Sequence, residues 1–312
     1  MICRTILDAI GNTPLIQLCR IPAEGDARIL VKYEGLNIGG SIKTRTALRM
    51  IEAAEQSGRL KKDSIIVEPT SGNQGIGLAM VAAVRGYRAV IIMPDSVSRE
   101  RRLLISQYGA ELKLVHDDGN IGDCINRCMA LAKSMASSDP HVFMPNQFEN
   151  EENVMAHYLH TGQEILKQAD GPIDAFCSGI GTGGTITGIG RALRSRNPEI
   201  LICAAEPDKA AILSGGKVGD HMQMGIGDGV IPPILDTGIY QRIETVTDEE
   251  AIAMSRRLAR EEGILCGISS GTNVTVALRL ARELGRGKTV VTVLADTGER
   301  YFSTPLFQED NA

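Results

Sequence analysis

Tryptophan is absent from this 312-residue chain, and aromatic residues make up only 4% of it. No Lys/Arg cluster and no aromatic-basic stripe occurs, so nothing offers a nucleic-acid-binding face. Long apolar runs are missing too. No segment reaches the roughly 18 uninterrupted apolar residues that a membrane span needs. Met1 to Ile10 carries Arg4 and Asp8 and lacks the apolar core of a signal peptide. These absences predict a soluble, cytoplasmic protein with neither a membrane nor a nucleic-acid partner.

Paired-cysteine chemistry is also lacking. The seven cysteines (Cys3, Cys19, Cys124, Cys128, Cys177, Cys203, Cys266) are odd in number and scattered, which argues against a disulfide framework. Cys124 and Cys128 lie four apart on an expected helix and would share a face. No His or Cys nearby completes a metal set at standard spacing. All seven read as small apolar fillers or surface thiols. The five histidines (His116, His141, His157, His160, His221) form no H-E-x-x-H motif, and no metal is expected. His157 and His160 are expected on a helix at a domain seam, in structural roles.

What is present is globular: 43% hydrophobic, 23% charged, formal net charge −5 with the signs interspersed. The length suffices for one large domain or two ordinary ones. Short β-branched runs alternate with longer helical patterns. Strands are expected at 29–32, 64–68, 89–93, 112–115, 175–178, 201–205 and 289–294. Helices are expected at 43–57, 74–85, 99–108, 122–137, 153–168, 184–196, 248–262 and 272–284. Several of the strands are almost wholly apolar, as strands buried on both faces are. Such alternation predicts an α/β protein with two lobes, each an open, mostly parallel sheet flanked by helices. The smaller lobe would hold 35–148 with 1–12, the larger 149–312 with 13–34. A glycine-rich irregular stretch over 208–243 is long enough to be functional.

Three loops carry candidate chemistry. Ser178-Gly179-Ile180-Gly181-Thr182-Gly183-Gly184-Thr185 follows an apolar strand and opens a helix. Its glycines let the backbone curl, and its N–H groups and Thr hydroxyls suit a phosphate. It is neither a Walker P-loop nor a clean G-x-G-x-x-G. A ligand-free strand-to-helix turn is the bland alternative. Glu68-Pro69-Thr70-Ser71-Gly72-Asn73-Gln74-Gly75 also runs from a strand end to a helix start. Ser71 or Asn73 can serve as a helix cap there, but the same group suits a carboxylate ligand. Gly39-Gly40-Ser41-Ile42-Lys43-Thr44-Arg45 places Lys43 in a first helical turn, where the helix dipole disfavours the cation. A lowered lysine pKa favours Schiff-base chemistry. A lone lysine is ordinarily a solvated surface charge; the other two loops make this one a candidate.

With these motifs in this order, the chain resembles the cysteine synthase (O-acetylserine sulfhydrylase) family, pyridoxal-phosphate enzymes with the tryptophan synthase β-subunit type of fold. The likeness runs from Ile10-Gly11-Asn12-Thr13-Pro14-Leu15 through the three loops. It continues through Pro145-Asn146-Gln147-Phe148, Gly225-Ile226-Gly227 and Gly267-Ile268-Ser269-Ser270-Gly271 to Asp296-Thr297-Gly298-Glu299-Arg300-Tyr301. The resemblance implies pyridoxal 5'-phosphate in the cleft between the lobes, bonded to Lys43. Asn73 would meet its phenolic oxygen, Ser269 its pyridine nitrogen, and Gly181, Thr182, Gly183, Gly184 and Thr185 its phosphate. Thr70, Ser71, Gly72, Asn73, Gln74, Gln147 and Gly225 would hold the amino-acid substrate. The implied reaction is β-replacement through an α-aminoacrylate, with O-acetylserine and sulfide giving cysteine and acetate. Lys43 would act as the general base. A homodimer and a serine acetyltransferase partner are further implications.

The chain departs from the family pattern at Ile38, Thr44, Gln74, Ala295 and most notably Asp228, where a small apolar residue is usual. Asp228 reads either as a turn residue between glycines or as an added carboxylate at the mouth of the site. The second reading would make it catalytic, acting on water or a thiol. It points to a cysteine-consuming, hydrogen-sulfide-releasing enzyme that gives serine, lanthionine or cystathionine. A non-catalytic regulatory protein on the same fold is the alternative from another class.

Overall fold

A computed structural model describes residues 2–119 and 121–308. The chain begins with β1 (Leu15–Gln17), β2 (Arg28–Tyr33) and α1 (Lys43–Gln56). It then alternates through β3 (Ile65–Pro69), α2 (Asn73–Arg85), β4 (Arg88–Pro94), α3 (Arg99–Gln107), β5 (Glu111–Val115), α4 (Ile121–Ser138) and β6 (Val142–Phe143). Helices α5 (Glu151–Ala156) and α6 (Gly162–Gln168) follow. The last part runs β7 (Ala175–Gly179), α7 (Gly184–Arg194), β8 (Leu201–Pro207), β9 (Arg242–Val246), α8 (Asp248–Glu262), α9 (Ile268–Leu284) and β10 (Thr289–Leu294).

Two sheets result. One has six strands in the order β1-β2-β10-β7-β8-β9; the other has four in the order β5-β4-β3-β6. Every pairing is parallel except β1 with β2. The fold is therefore α/β with two mostly parallel sheets flanked by helices, as the alternation predicts. The central strands are apolar because helices cover both their faces. All six residues of β10 are buried, and α9 packs against β7, β10 and α8. Local signals set the helix ends. Thr247 and Glu250 form a capping box at the start of α8, and Gly263 ends that helix at φ +69°. Such a cap contributes about 1 kcal/mol.

Seven strands and eight helical stretches lie where the sequence places them, give or take a few residues. Three strands were not expected: β1, β6 and β9. The helix expected over 153–168 is interrupted by a π-helical turn at His157–Thr161. Helix α9 starts four residues early, at Ile268, because its first turn is buried against the large core. Cys124, Cys128, Cys177, Cys203 and Cys266 are buried, Cys3 and Cys19 are exposed, and all seven are free thiols.

Residues 208–241 form no helix or strand, yet buried polar anchors fix them. Glu206 accepts the backbone N–H of Leu213 at 2.9 Å and of Ser214 at 3.0 Å. Gln223 donates to the Val246 carbonyl at 2.9 Å and accepts from the Thr272 hydroxyl at 2.7 Å. These anchors return Gly225–Asp228 to the space between the sheets. The carboxyl ends of β3, β7 and β10 open onto the same space, the usual ligand position in open parallel sheets.

Candidate active site

A cavity at these strand ends is lined by residues from all three chemical loops. Lys43 is the first residue of α1 and faces it. Burial is the main cause that lowers its amine from 10.5 to about 8, with Asp228 and then Glu68 pulling the other way. An amine so tuned has a substantial neutral fraction near neutral pH, as a nucleophile and a proton acceptor require.

One wall is the loop from β7 to α7. Gly181, Thr182, Gly183 and Thr185 line the cavity; Gly184 lies behind them. Gly183 has φ +81°, and a Cβ there would sit 2.6 Å from that of Leu235. A Cβ on Gly181 would collide with the Gly225 carbonyl, and one on Gly184 with the Asn153 amide. Glycine is thus imposed by close approach as well as by the turn. The Asn153 amide donates to Thr182 Oγ1 at 2.9 Å. Below the turn, Asn273 accepts the Gly179 N–H and donates to the Val293 carbonyl, both at 2.7 Å. His157 is fully buried and sits 3.4 Å from Thr185 Oγ1 through Nε2. Burial, then Lys43, holds its pKa well below the ordinary value, so the ring is neutral. The structural role expected of His157 is to back this cradle.

The opposite wall is the loop from β3 to α2. Thr70, Ser71, Asn73 and Gln74 line the cavity together with Gln147; Gly72 does not. Gly72 instead makes the turn, at φ +136°, with its N–H donated to Thr70 Oγ1 at 3.1 Å. Gln74 accepts from Thr46 Oγ1 at 2.6 Å, and its buried Nε2 has no hydrogen-bond partner among the described residues. Asn73 is held at both ends of its amide. It donates to Asp296 Oδ2 at 2.6 Å and accepts from Arg300 Nη1 at 2.6 Å. The second N–H of its amide is left for another acceptor. Ser269, in the first turn of α9, and Gly225 complete the expected set.

Asp228 also faces the cavity, so it is more than a surface turn residue. Its neighbours Gly227 and Gly229 have φ of +71° and +76°. Burial raises its carboxyl above the ordinary value, opposed by Lys43 and His221. The sequence motifs did not single out Arg101, Glu68 or Asp296 as side chains that matter here. Arg101 and Glu68 come from elements whose local pattern shows only a charged helix start and a strand end. Only the packing of the sheets brings them to the site.

The residues fit pyridoxal phosphate. A half-buried amine of lowered pKa lies between a cradle whose glycines leave no room for a Cβ and a loop that keeps polar groups, the Gln74 amide nitrogen among them, free for a ligand. Comparison with known proteins agrees. The pyridoxal-phosphate dependent enzyme family matches residues 6–296. A cysteine synthase of Staphylococcus aureus is 48% identical over 307 residues, covering 98% of this chain and 97% of that protein. Among solved structures, a hydrogen sulfide-producing enzyme from Fusobacterium nucleatum is 39% identical with a TM-score of 0.91. That match covers 96% of this chain and all (100%) of the other. An O-ureido-L-serine synthase is 41% identical with a TM-score of 0.92, over 100% of this chain and 98% of that one. Family match, identity and cavity agree: this chain belongs to the cysteine synthase family of pyridoxal-phosphate dependent enzymes.

Proposed function

We propose that this protein catalyses β-replacement on a small amino acid, making cysteine and acetate from O-acetylserine and sulfide. The observation that carries this reading is the Lys43 amine, lowered to about 8 between a phosphate cradle and a carboxylate loop. Pyridoxal phosphate, when bound, supplies the electron sink that makes the α-proton of the amino acid removable. Gly181, Thr182, Gly183, Gly184 and Thr185 would hold its phosphate, Ser269 its ring nitrogen and Asn73 its phenolic oxygen. Lys43 would hold it covalently.

Thr70, Ser71, Gln147 and Asn73 bind and orient the substrate carboxylate, with Gly72 shaping the turn and Gln74 and Gly225 bordering the substrate. Orientation places the α-proton before the Lys43 amine, which accepts it. The same nitrogen returns a proton when product forms. Ile125, Met129, Phe148, Met224 and Ile226 line the cavity between the polar walls and exclude water from the reacting carbons. Lobes of 35–148 with 1–12 and 149–312 with 13–34 would meet around this cavity. A homodimer, docking to serine acetyltransferase and a cytoplasmic location belong to the same reading, supported by the family.

The test is direct. Cofactor-loaded protein given O-acetylserine and sulfide is expected to release acetate and cysteine in equal amounts. Absence of both products refutes the reading.

Asp228 favours a second reading: hydrogen sulfide release from cysteine, with this carboxylate taking a proton from water or a thiol. Its support is a half-buried carboxyl of raised pKa lining the same cavity as Lys43, and the likeness to the Fusobacterium enzyme. Cysteine alone would then yield sulfide, and Asp228→Asn would lower that rate while sparing cysteine formation. Equal rates in both proteins would refute a catalytic Asp228.

A further inference from the structure

We infer that Arg101 forms an anion subsite for the incoming sulfur nucleophile, at the neck where the outer passage meets the inner cavity. The inference rests on the β-replacement reading and names the group that receives the second substrate.

Arg101 is the third residue of α3 and is only 2% exposed. Its side chain crosses the carboxylate loop, its Cδ filling the space a Cβ on Gly72 would need. The guanidinium lines both the Lys43 cavity and a second cavity that leads outward past Ser96, Asp117, Asp220 and His221. Arg101 is among the residues that line both cavities. Besides Arg101, the two cavities share Ser71, Ile125, Met224, Gly225, Ile226 and Asp228.

A guanidinium offers five N–H donors, and a buried one needs strong acceptors. Arg101 has few. Nη1 meets only the thioether of Met224 at 2.8 Å, a weak acceptor. Nε has no hydrogen-bond partner among the described residues. The nearest carboxylate, Asp296, lies 3.8 Å from Nη2, outside hydrogen-bond reach. Its near oxygen, Oδ2, already accepts from Asn73 at 2.6 Å and from Tyr301 at 2.8 Å. The Tyr301 ring lies under the guanidinium at 4.7 Å, a contact that steadies the cation without using its N–H groups. A buried, under-coordinated cation at a neck where thioether and aliphatic side chains lie beside Ser71 and the Asp228 carboxylate suits a small soft anion: hydrosulfide or a thiolate.

The experiment compares cofactor-loaded wild type, Arg101→Met and Arg101→Lys. KM for sulfide and for O-acetylserine are measured separately. Iodide, which does not react, is titrated both as an inhibitor against sulfide and as a static ligand through the absorbance of the bound cofactor. In wild type, iodide should compete with sulfide. In Arg101→Met, KM for sulfide should rise by ~10-fold or more, the size of one charged hydrogen bond. KM for O-acetylserine should change far less, and iodide should no longer bind. Arg101→Lys, which keeps the charge, should recover part of both effects; it also serves if the methionine variant does not fold. An unchanged KM for sulfide, an equal rise in both KM values, or iodide binding indifferent to Arg101 would overturn the inference. Failure of wild type to release acetate would instead refute the proposed function, and the static iodide titration would still decide the subsite.

Discussion

The carboxylate of Glu68 accepts the backbone N–H of Gln147 at 2.9 Å. Its other oxygen accepts the N–H of Asn146 at 2.8 Å. Glu68 is fully buried near the end of β3, immediately before the carboxylate loop. Asn146 sits at φ +53°, a conformation that non-glycine residues rarely adopt. One side chain thereby ties both halves of the expected carboxylate grip, Thr70–Asn73 and Gln147, across 79 residues of sequence. In Glu68→Gln one acceptor becomes an NH2 group that cannot receive an N–H. KM for the amino acid is expected to rise ~5- to 10-fold, consistent with about 1 kcal/mol or slightly more for a misplaced hydrogen bond. kcat should fall less. Steady-state kinetics of the variant check this, and an unchanged KM would contradict it.

Glu68 also predicts a pH dependence of stability. Burial raises its carboxyl from 4.5 to about 7, against the N–H groups of Gln147 and Asn146 and the charge of Lys43. The folded pKa exceeds the unfolded one. The contribution of this group to stability is therefore full below about 4.5 and is lost as pH rises through about 7. Denaturant unfolding of wild type and Glu68→Gln from pH 4 to 8 should show their difference moving in favour of the variant across that window. A constant difference would refute the assignment.

Lys43 leads to two outcomes. Lys43→Ala removes the proposed covalent anchor and proton acceptor. Turnover should drop by at least ~1,000-fold, within the range of lost general-base catalysis, with little change in the circular dichroism. In the wild-type apoprotein only the neutral amine attacks the cofactor aldehyde. Cofactor uptake should accelerate with pH and level off above about 8, the pKa to which burial lowers this amine. A plateau reached only near the ordinary 10.5 would show that Lys43 is not desolvated.

Gly181→Ala tests the cradle. A Cβ there meets the Gly225 carbonyl, a backbone atom that cannot rotate away. The substitution should destabilise the protein by about 1–3 kcal/mol, as overpacking does, and weaken cofactor binding. Thermal unfolding and equilibrium dialysis of the cofactor measure the two effects.

The boundary between what sequence and structure decide is visible in particular residues. Apolar runs such as Thr289–Leu294 and glycine-rich strand-to-helix turns such as Gly179–Gly184 are local patterns, so the α/β alternation and the turn that lines the cavity are legible in the sequence. Strands β1 and β6 have only three and two residues, too short for a period to show. Strand β9 follows a long irregular segment and exists because β8 pairs with it. The π-helical turn at His157–Thr161 fits the packing of α7 around Gly162 and Gly188, which no local pattern records.

The same division holds in the site. By itself the sequence determined the fold class, and it marked Lys43 and the two strand-to-helix loops as candidates, because strand-helix alternation and glycine-rich turns are patterns within a few residues. Tertiary structure alone decided that Gly72 shapes its turn without facing the cavity, that Asn73 is held by Asp296 and Arg300, and that Asp228 lines the same cavity as Lys43. It alone placed Glu68 behind Gln147 and Arg101 at the neck. These relationships join groups up to 227 positions apart. They depend on burial and on the approach of two sheets, quantities that no window of neighbouring residues contains.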